Sequence, residues 1–168
     1  MPETTIRDAT HTDALAIQQI YAPYVIETPI SFEMDPPDEA EMLRRMNRAT
    51  DRFPWLVFEQ DCKILGYAYA TQFRAREAFQ NSAETTVYVS KDHQRQGVGR
   101  RLMEEVLDHL RSAKFHRAIA GITLPNSGSI GLHESLGFKP VGVFTQVGYK
   151  FDQWHDVGFW ELPLGDNR

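Results

Sequence analysis

The sequence predicts an α/β fold in which a mixed sheet of about seven strands is flanked by about four helices. Residues 98–112 repeat apolar side chains at helical spacing, whereas several shorter runs are rich in β-branched and aromatic residues. The order of these runs is a strand, two helices, three strands, a helix, a strand, a helix and two strands. The strand–helix–strand passage in the second half predicts one right-handed parallel crossover.

The first half of the chain begins with a short strand at residues 5–8, followed by two helices. A helix over residues 12–24 is predicted by an apolar set at helical spacing. Its members are Ile17, Ile20, Tyr21 and Tyr24. A second helix is predicted over residues 38–48, because Asp38 and Glu41 form a capping pair after a proline-rich turn. Its expected apolar face is Leu43 and Met46.

The later elements alternate more evenly between strands and helices. In order, they are strands at 55–58, 64–71 and 84–90, a helix at 98–112, a strand at 118–123, a helix at 129–136, and strands at 141–146 and 157–164. A tight polar turn at Gln60 and Asp61 joins the first two strands, and Gly137 ends the second helix.

Composition narrows the class of protein. The chain has 168 residues, which suits one domain over residues 1–168, and its 18 basic and 23 acidic side chains give a net charge of −5. That charge argues against nonspecific binding to nucleic acid or to an anionic membrane. Cys62 is the single cysteine, so neither an internal disulfide nor a cysteine-based metal site is expected. Without a secretory signal pattern or metal-spaced histidines, we expect a cytoplasmic protein that binds no metal.

The most informative segment is a glycine turn. A strand ending near Ser90 leads through a polar loop to Gly97 and Gly99, which open the helix at 98–112. Glycines leave backbone N–H groups uncovered, and the partial positive charge of a helix N-terminus suits a pyrophosphate. Arg95, Arg100 and Arg101 surround that point, and basic residues at a helix start are locally unfavourable unless an anion is present. The pattern predicts a phosphate-bearing ligand, with an ordinary tight turn and solvated arginines as the alternative.

Two resemblances follow from these residues. The spacing Gln94-x-x-Gly97-x-Gly99 resembles the acyl-CoA loop of the GNAT superfamily of N-acetyltransferases. A closer resemblance, to the phosphinothricin N-acetyltransferase family, covers nearly the whole chain, and that family includes enzymes acting on methionine sulfoximine and methionine sulfone. The segments that carry it are Ser31-Phe32-Glu33, Thr86-Val-Tyr-Val-Ser90, His93-Gln-Arg95, Leu132-His-Glu-Ser-Leu-Gly-Phe138, Gly148-Tyr-Lys150 and Trp154-His-Asp-Val-Gly-Phe-Trp160.

The resemblance implies an acetyl-CoA-dependent enzyme with the GNAT fold, a mostly antiparallel sheet whose central strands splay apart. It implies that backbone groups of the strand before the glycine loop bind the pantetheine arm, and that one N–H there polarises the thioester carbonyl. The implied acetyl-CoA-binding residues are Val87, Tyr88, Val89, Arg95, Gln96, Gly97, Val98, Gly99, Arg100 and Asn126.

Three residues are implied to handle protons. Glu84 matches the family's acidic position, and would act as a base through water or as an anchor for the substrate ammonium. His133 stands where the family has a histidine and the wider superfamily commonly a tyrosine. It would protonate the CoA thiolate or share the work of the base, and Tyr88 is a second candidate acid. The division of roles among the three stays open.

The acceptor side is predicted from a pair of arginines. If the segment after the third strand is extended, Arg74 and Arg76 point to one side and suit a carboxylate plus a phosphinyl or sulfoximine oxygen. Phe32 would form an apolar wall. The predicted acceptor-binding residues are Phe32, Phe73, Arg74, Arg76, Glu84, Thr85 and Thr86.

The expected reaction is therefore acetylation of the α-amine of a small amino-acid analogue. A protein N-terminus or a polyamine is the alternative acceptor, and a CoA-binding module without turnover is the alternative class. A pocket closed by Phe32 and the arginine pair would favour the small molecule, whereas an open acidic groove would favour a peptide or polycation. The family also implies a homodimer, with the aromatic segment 149–160 as core or as interface.

Overall fold

The computed structural model describes residues 3–165, and the outermost residues of the predicted domain, 1–2 and 166–168, lie outside this range. The described chain forms seven strands and four α-helices in the predicted order. The helices are α1 (Ala14–Glu27), α2 (Glu39–Met46), α3 (Val98–Ser112) and α4 (Ser127–Ser135). The strands are β1 (Thr4–Asp8), β2 (Trp55–Gln60), β3 (Lys63–Gln72), β4 (Ser82–Val89), β5 (Arg117–Thr123), β6 (Lys139–Lys150) and β7 (Gln153–Pro163).

All seven strands join one sheet in the order β1-β2-β3-β4-β5-β7-β6. β4 and β5 are parallel and are connected through α3, which confirms the predicted parallel crossover, and the other neighbours are antiparallel. β4 pairs with β3 along its length, from Ala83 to Val89, but with β5 only from Ser82 to Glu84. The expected splay of the central strands is thus confirmed, and it begins at Thr85.

Alternating side chains give the sheet two apolar faces. Leu56 and Phe58 join the cluster that contains the buried side of α3, whereas Trp55 and Val57 join the cluster beneath α1 and α2. This period-2 alternation places α3 on one face of the sheet and the first two helices on the other. The odd-numbered residues Val87 and Val89 pack toward α3, and Tyr88 packs toward α1.

The predicted and observed helix boundaries agree best where a strong amphipathic pattern or a capping residue determines them. Helix α3 has the predicted bounds, and the Asp38 side chain caps α2 by accepting from the Glu41 N–H at 2.7 Å. Helix α1 runs past the predicted end at Tyr24, through Pro23, to Glu27. The buried side of α2 is Met42 and Met46, with the predicted Leu43 only half-buried, because α2 packs mainly on α1.

The largest departures lie in the hairpins. The turn between β2 and β3 is formed by Asp61 and Cys62, both with positive φ, while the predicted turn residue Gln60 ends β2. β6 and β7 are longer than predicted and turn at Phe151 and Asp152, again with positive φ. Such two-residue turns match the twist of a hairpin, and neither contains the glycine that usually reveals them in a sequence.

Candidate active site

A large cleft opens where β4 and β5 part. It has a volume of about 580 Å³ and is walled by β4, the loop after it, the start of α3, and α4. Some of the residues that line this cleft were predicted to bind acetyl-CoA, and they are Val87, Tyr88, Val89, Arg95, Gly97, Gly99, Arg100 and Asn126. The cleft therefore collects eight of the ten residues expected to bind acetyl-CoA.

The glycine turn has the conformation that its residues predict. Gly97 precedes α3 with a φ of 82°, a left-handed conformation that side chains rarely adopt. Gly99 lies in the first helical turn, where an added Cβ would meet Val89 and Leu132 across the cleft at 3.4–3.5 Å. The first intrahelical bond runs from the Arg101 N–H to the Gly97 carbonyl. The N–H groups before it have no partner within the helix and suit an anion.

The basic residues around this turn are not equivalent. Arg95 and Arg100 line the cleft, and Arg100 also donates to Glu104 at 2.9 Å and to Ser135 at 3.2 Å. Arg101 instead stacks over the Phe58 ring at 4.8 Å, so it does not join them. The side chains of the other two predicted residues also face elsewhere: Val98 is buried in the core, and Gln96 donates to the Asp92 carbonyl.

The direction of the β4 backbone follows from its bonds to β3. The Ser82 carbonyl accepts from Phe73, and the Ser90 N–H donates to Leu65. Because the bonding side alternates along an antiparallel pair, even-numbered β4 residues face β3 and odd-numbered ones face the splay. The Val89 carbonyl accepts from the Tyr24 hydroxyl, as this alternation requires. The N–H and C=O of Val87 therefore face the opening, whereas the backbone of Tyr88 bonds to β3.

A small cleft of about 420 Å³ adjoins the large one. It contains these predicted acceptor or catalytic residues: Phe32, Glu84, Thr85, Thr86, Tyr88 and His133. Five residues line both clefts, and they are Ile30, Val87, Tyr88, Asn126 and Ser129. The two clefts therefore meet at the splayed part of β4.

Glu84 stands at the last paired position of β4, beside Ile119 of β5. Burial raises the pKa of this half-buried carboxyl, and the positive charge of Arg74 opposes the rise. A Cβ added to Gly121 would lie 3.6 Å from Glu84 Oε1, so the β5 backbone comes close to the carboxylate. Glu84 is thus a carboxyl that holds its proton more readily than an exposed glutamate does.

His133 is 4 % exposed on α4. Its Nδ1 lies 2.8 Å from the Ser129 carbonyl, which can only accept, so Nδ1 carries the hydrogen and donates. Nε2 is buried without a hydrogen-bond partner among the described residues. Burial lowers the pKa of the imidazole, with the bond to Ser129 opposing this. The ring is therefore neutral near pH 7 and keeps Nε2 as a proton acceptor.

Tyr88 lies among other tyrosines. Its ring centre is 4.9 Å from those of Tyr21 and Tyr24 and 5.7 Å from that of Tyr67. Burial, helped by neighbouring tyrosines, raises the pKa of the Tyr88 hydroxyl well above its usual range. Tyr88 consequently keeps its proton, and it can donate a hydrogen bond more readily than it can give the proton away.

The prediction for the arginine pair is wrong in its geometry. Residues 73–76 form a bend and not an extended strand, so side-chain alternation does not apply to them. The Arg74 guanidinium stacks over the Phe73 ring at 4.3 Å and acts on Glu84 through its charge. Arg76 is exposed and precedes the short helix Glu77–Phe79. Phe73, Arg74 and Arg76 do not line the small cleft.

Several cleft residues were not predicted. Glu33 lines the small cleft and pairs with Arg45 through two contacts, of 2.6 and 3.2 Å. Tyr24 lines the large cleft, where its hydroxyl also accepts from Gln94 at 2.9 Å. Both Glu33 and Gln94 belong to motifs that the sequence displays, but only tertiary contact shows what they bind. Among residues 3–165, no helix is long and apolar enough to cross a membrane, and no group of three or more His, Cys, Asp or Glu side chains is placed to hold a metal.

Comparison with known proteins agrees with this geometry. The family described as "Acetyltransferase (GNAT) domain" matches residues 6–158. A phosphinothricin N-acetyltransferase of Streptomyces viridochromogenes is 40% identical over 162 residues, which cover 94% of this chain and 88% of that protein. An L-methionine sulfoximine/L-methionine sulfone acetyltransferase of Salmonella typhimurium is 35% identical, with 97% and 96% covered.

A solved structure extends the similarity to three dimensions. The GNAT superfamily phosphinothricin acetyltransferase of Sinorhizobium meliloti, in complex with acetyl-CoA, superposes with a TM-score of 0.93 at 34% identity. The superposition covers 97% of this chain and 89% of that one. The chain therefore belongs to the GNAT superfamily of acetyltransferases, and within it to the family of phosphinothricin and methionine sulfoximine N-acetyltransferases.

Proposed function

We propose that this acetyltransferase moves the acetyl group of acetyl-CoA to the α-amine of a small amino-acid analogue with a second polar head group. Phosphinothricin, methionine sulfoximine and methionine sulfone are acceptors of this type. The observation that carries the proposal is the meeting of the large and small clefts at Val87 and Tyr88. A thioester held on one side and an amine held on the other can react only where the two clefts join.

The large cleft suits both the pyrophosphate and the pantetheine arm of acetyl-CoA. The N–H groups at the start of α3, with Arg95 and Arg100, bind the pyrophosphate. The outward backbone groups of β4 bind the pantetheine arm, and the Val87 N–H polarises the thioester carbonyl. The Asn126 oxygen already caps α4 by accepting from the Ser129 N–H at 3.1 Å, which leaves its amide hydrogens to donate.

The small cleft suits an amine with a short side chain better than a polyamine. Two carboxylates line it, Glu33 and Glu84, but Arg45 balances the charge of Glu33. One carboxylate is left to bind an ammonium group, and Phe32 supplies an apolar wall beside it. Arg74 does not line this cleft, but its exposed guanidinium is near enough to act on the charge of Glu84, and we assign it to the carboxylate of the bound acceptor.

Glu84 and His133, which both line the small cleft, share the proton handling. An amine attacks only when neutral, so its ammonium proton must go to Glu84, directly or through water, or to Nε2 of His133. The attack forms a C–N bond as the C–S bond breaks; the nitrogen then loses its second proton, the departing thiolate takes up one, and the other proton is released to solvent. His133, once protonated, returns one more readily than Tyr88 does, because the pKa of Tyr88 is raised so far.

An acceptor assay tests the function. With acetyl-CoA, the protein is expected to release CoA thiol with L-methionine sulfone or phosphinothricin, but not with spermidine or a peptide starting with alanine. Arg74→Ala should raise the KM for the two amino-acid analogues about ten- to hundredfold, the range for losing a charge-assisted hydrogen bond. Arg111→Ala, at an exposed arginine paired with Asp108, is the matched control. Tight CoA binding without turnover on any amine would instead indicate a binding module.

Gly99→Val tests the assignment of the large cleft to acetyl-CoA. The new side chain enters space between Val87, Val89 and Leu132 that the cleft needs for the pantetheine arm. We expect the acetyl-CoA KM to rise about tenfold or more while the acceptor KM stays constant. Gly99→Ala, with a single methyl group in ordinary contact distance, should have a smaller effect. Unchanged acetyl-CoA affinity in the valine variant would contradict the assignment.

Glu84→Gln tests the base. Because burial raises the Glu84 pKa, the carboxyl takes up a proton at a higher pH than an exposed glutamate, and kcat/KM should fall as the pH drops through that value. The glutamine variant should lose this acidic limb and about a hundredfold in kcat, with acetyl-CoA binding retained. Glu77→Gln, at an exposed glutamate, is the control. If the limb survives in Glu84→Gln and disappears in His133→Gln, then His133 is the base.

We also propose that the protein is a homodimer that pairs through β6. This edge strand exposes a run of large apolar side chains, an arrangement that invites association. They are Val141, Val143, Phe144, Val147 and Tyr149, with Trp154 on β7 beside them. A second copy of the same strand offers a matching surface.

Size-exclusion chromatography with light-scattering detection tests the dimer. The wild type is expected at twice the chain mass, and Val143→Asp, which puts a charge on a side chain that is 53 % exposed, should shift it to one chain mass. Leu15→Asp, at a 45 % exposed leucine on α1, should remain a dimer. A wild type that elutes at one chain mass would refute the proposal.

The single domain over residues 1–168 and the cytoplasmic location remain predictions.

A further inference from the structure

The loop that carries Phe32 is held from several sides. The Thr123 hydroxyl contacts the Ile30 carbonyl at 3.4 Å, and the side chain of Ser31 shares a 2.6 Å hydrogen bond with the Tyr21 hydroxyl. Glu33 is fixed by Arg45. The far end of β6, distant in sequence, supplies further contacts.

Lys150 is the first of these contacts. It is 2 % exposed, and its Nζ donates to the Val25 carbonyl at 2.6 Å and to the Ser31 carbonyl at 2.8 Å. Burying an ammonium group is costly unless its hydrogens are bonded. Both bonds go to backbone, one at the end of α1 and one beside Phe32. Lys150 therefore joins β6 to the loop at its main chain, where it sets the loop's position.

Gly148 is the second contact. A Cβ added there would come within 2.8 Å of three carbon atoms of the Phe32 ring. The φ of Gly148 is not in the left-handed region, so the glycine is required for space and not for backbone conformation. The Phe32 ring consequently lies over the bare backbone of Gly148, and any side chain at 148 would displace it.

The register of β6 brings this glycine into place. A bulge between Phe144 and Gly148 shifts the pairing so that Gly148 stands opposite His155 of β7. The His155 ring lies 6.2 Å from that of Phe32, and its Nε2 is 2.9 Å from the Lys150 carbonyl. One short stretch of hairpin thus contacts both the backbone and the ring of the loop.

We infer that Gly148 and Lys150 are positioning residues that hold Phe32 as the wall of the small cleft and so determine which acceptors fit. The inference rests on the proposed function, because it takes the small cleft to be the acceptor site. Neither residue lines that cleft, so both act through the loop. Their effect should fall on the acceptor and not on acetyl-CoA.

A double-mutant cycle with L-methionine sulfone as the acceptor tests this. Gly148→Ala should raise the acceptor KM about ten- to hundredfold, because it moves the wall by the width of a methyl group, while the acetyl-CoA KM stays constant. In a Phe32→Ala background there is no ring to displace, so the same substitution should have little further effect. Gly142→Ala, on the same strand with nothing within 4 Å of the new Cβ, is the matched control.

Lys150→Met provides a second approach, since it keeps the length of the side chain but removes both hydrogen bonds. It should raise the acceptor KM with the acetyl-CoA KM unchanged in protein that melts cooperatively. An equal rise in both KM values, or an equal effect of Gly148→Ala with and without the Phe32 ring, would overturn the inference. If the wild type acetylates neither methionine sulfone nor phosphinothricin, the proposed function fails separately. A crystal structure of Gly148→Ala then decides the positioning role, because an unmoved Phe32 ring refutes it.

Discussion

The site depends on the point at which β4 stops pairing with β5. Pairing ends at Glu84, and from Thr85 onward the two strands diverge. A backbone N–H or C=O that leaves a sheet must find another partner or face solvent. At Val89 the Tyr24 hydroxyl takes this place, whereas the groups of Val87 stay open toward the cleft. The end of the β4–β5 pairing therefore creates both the space of the cleft and the free backbone groups proposed to bind a substrate there.

Burial acts in opposite directions on Glu84 and His133, the two residues proposed to handle protons. It raises the pKa of Glu84 and lowers that of His133, so the two groups approach each other in proton affinity. A smaller difference in proton affinity between acid and base lowers the cost of moving protons through the site, which suits a reaction in which an amine loses protons and a thiolate gains one. Tyr88 is buried as well, but the same effect moves its pKa away from neutrality and suits it to hydrogen bonding.

Most of the residues predicted for acetyl-CoA come together in the large cleft, because they are nearly continuous along the chain. Helix α3 has the predicted bounds, and Gly97 and Gly99 stand at its start as predicted. Local chemistry determines both. The extended path considered for residues 73–76 is wrong, because the path of an exposed segment depends on what it packs against, as the stacking of Arg74 on Phe73 shows. Likewise, neither the burial of Lys150 nor the pairing of Glu33 with Arg45 leaves a periodic signal in the sequence.

The two sides of the site consequently differ in how freely they can vary. The large cleft is lined mainly by β4, the loop after it, the start of α3, and α4, with four glycines among the lining residues, so a change there is expected to affect the shared acetyl-CoA. The small cleft is assembled from the loop at Phe32, from β4 and β5, and from His133 on α4. The loop at Phe32 is also held in place by β6, although no β6 residue lines the cleft. Because these segments are separate, a substitution in one can reshape the small cleft, the proposed acceptor site, while leaving the large cleft intact. On this proposal, relatives with one fold can differ in the amine they accept.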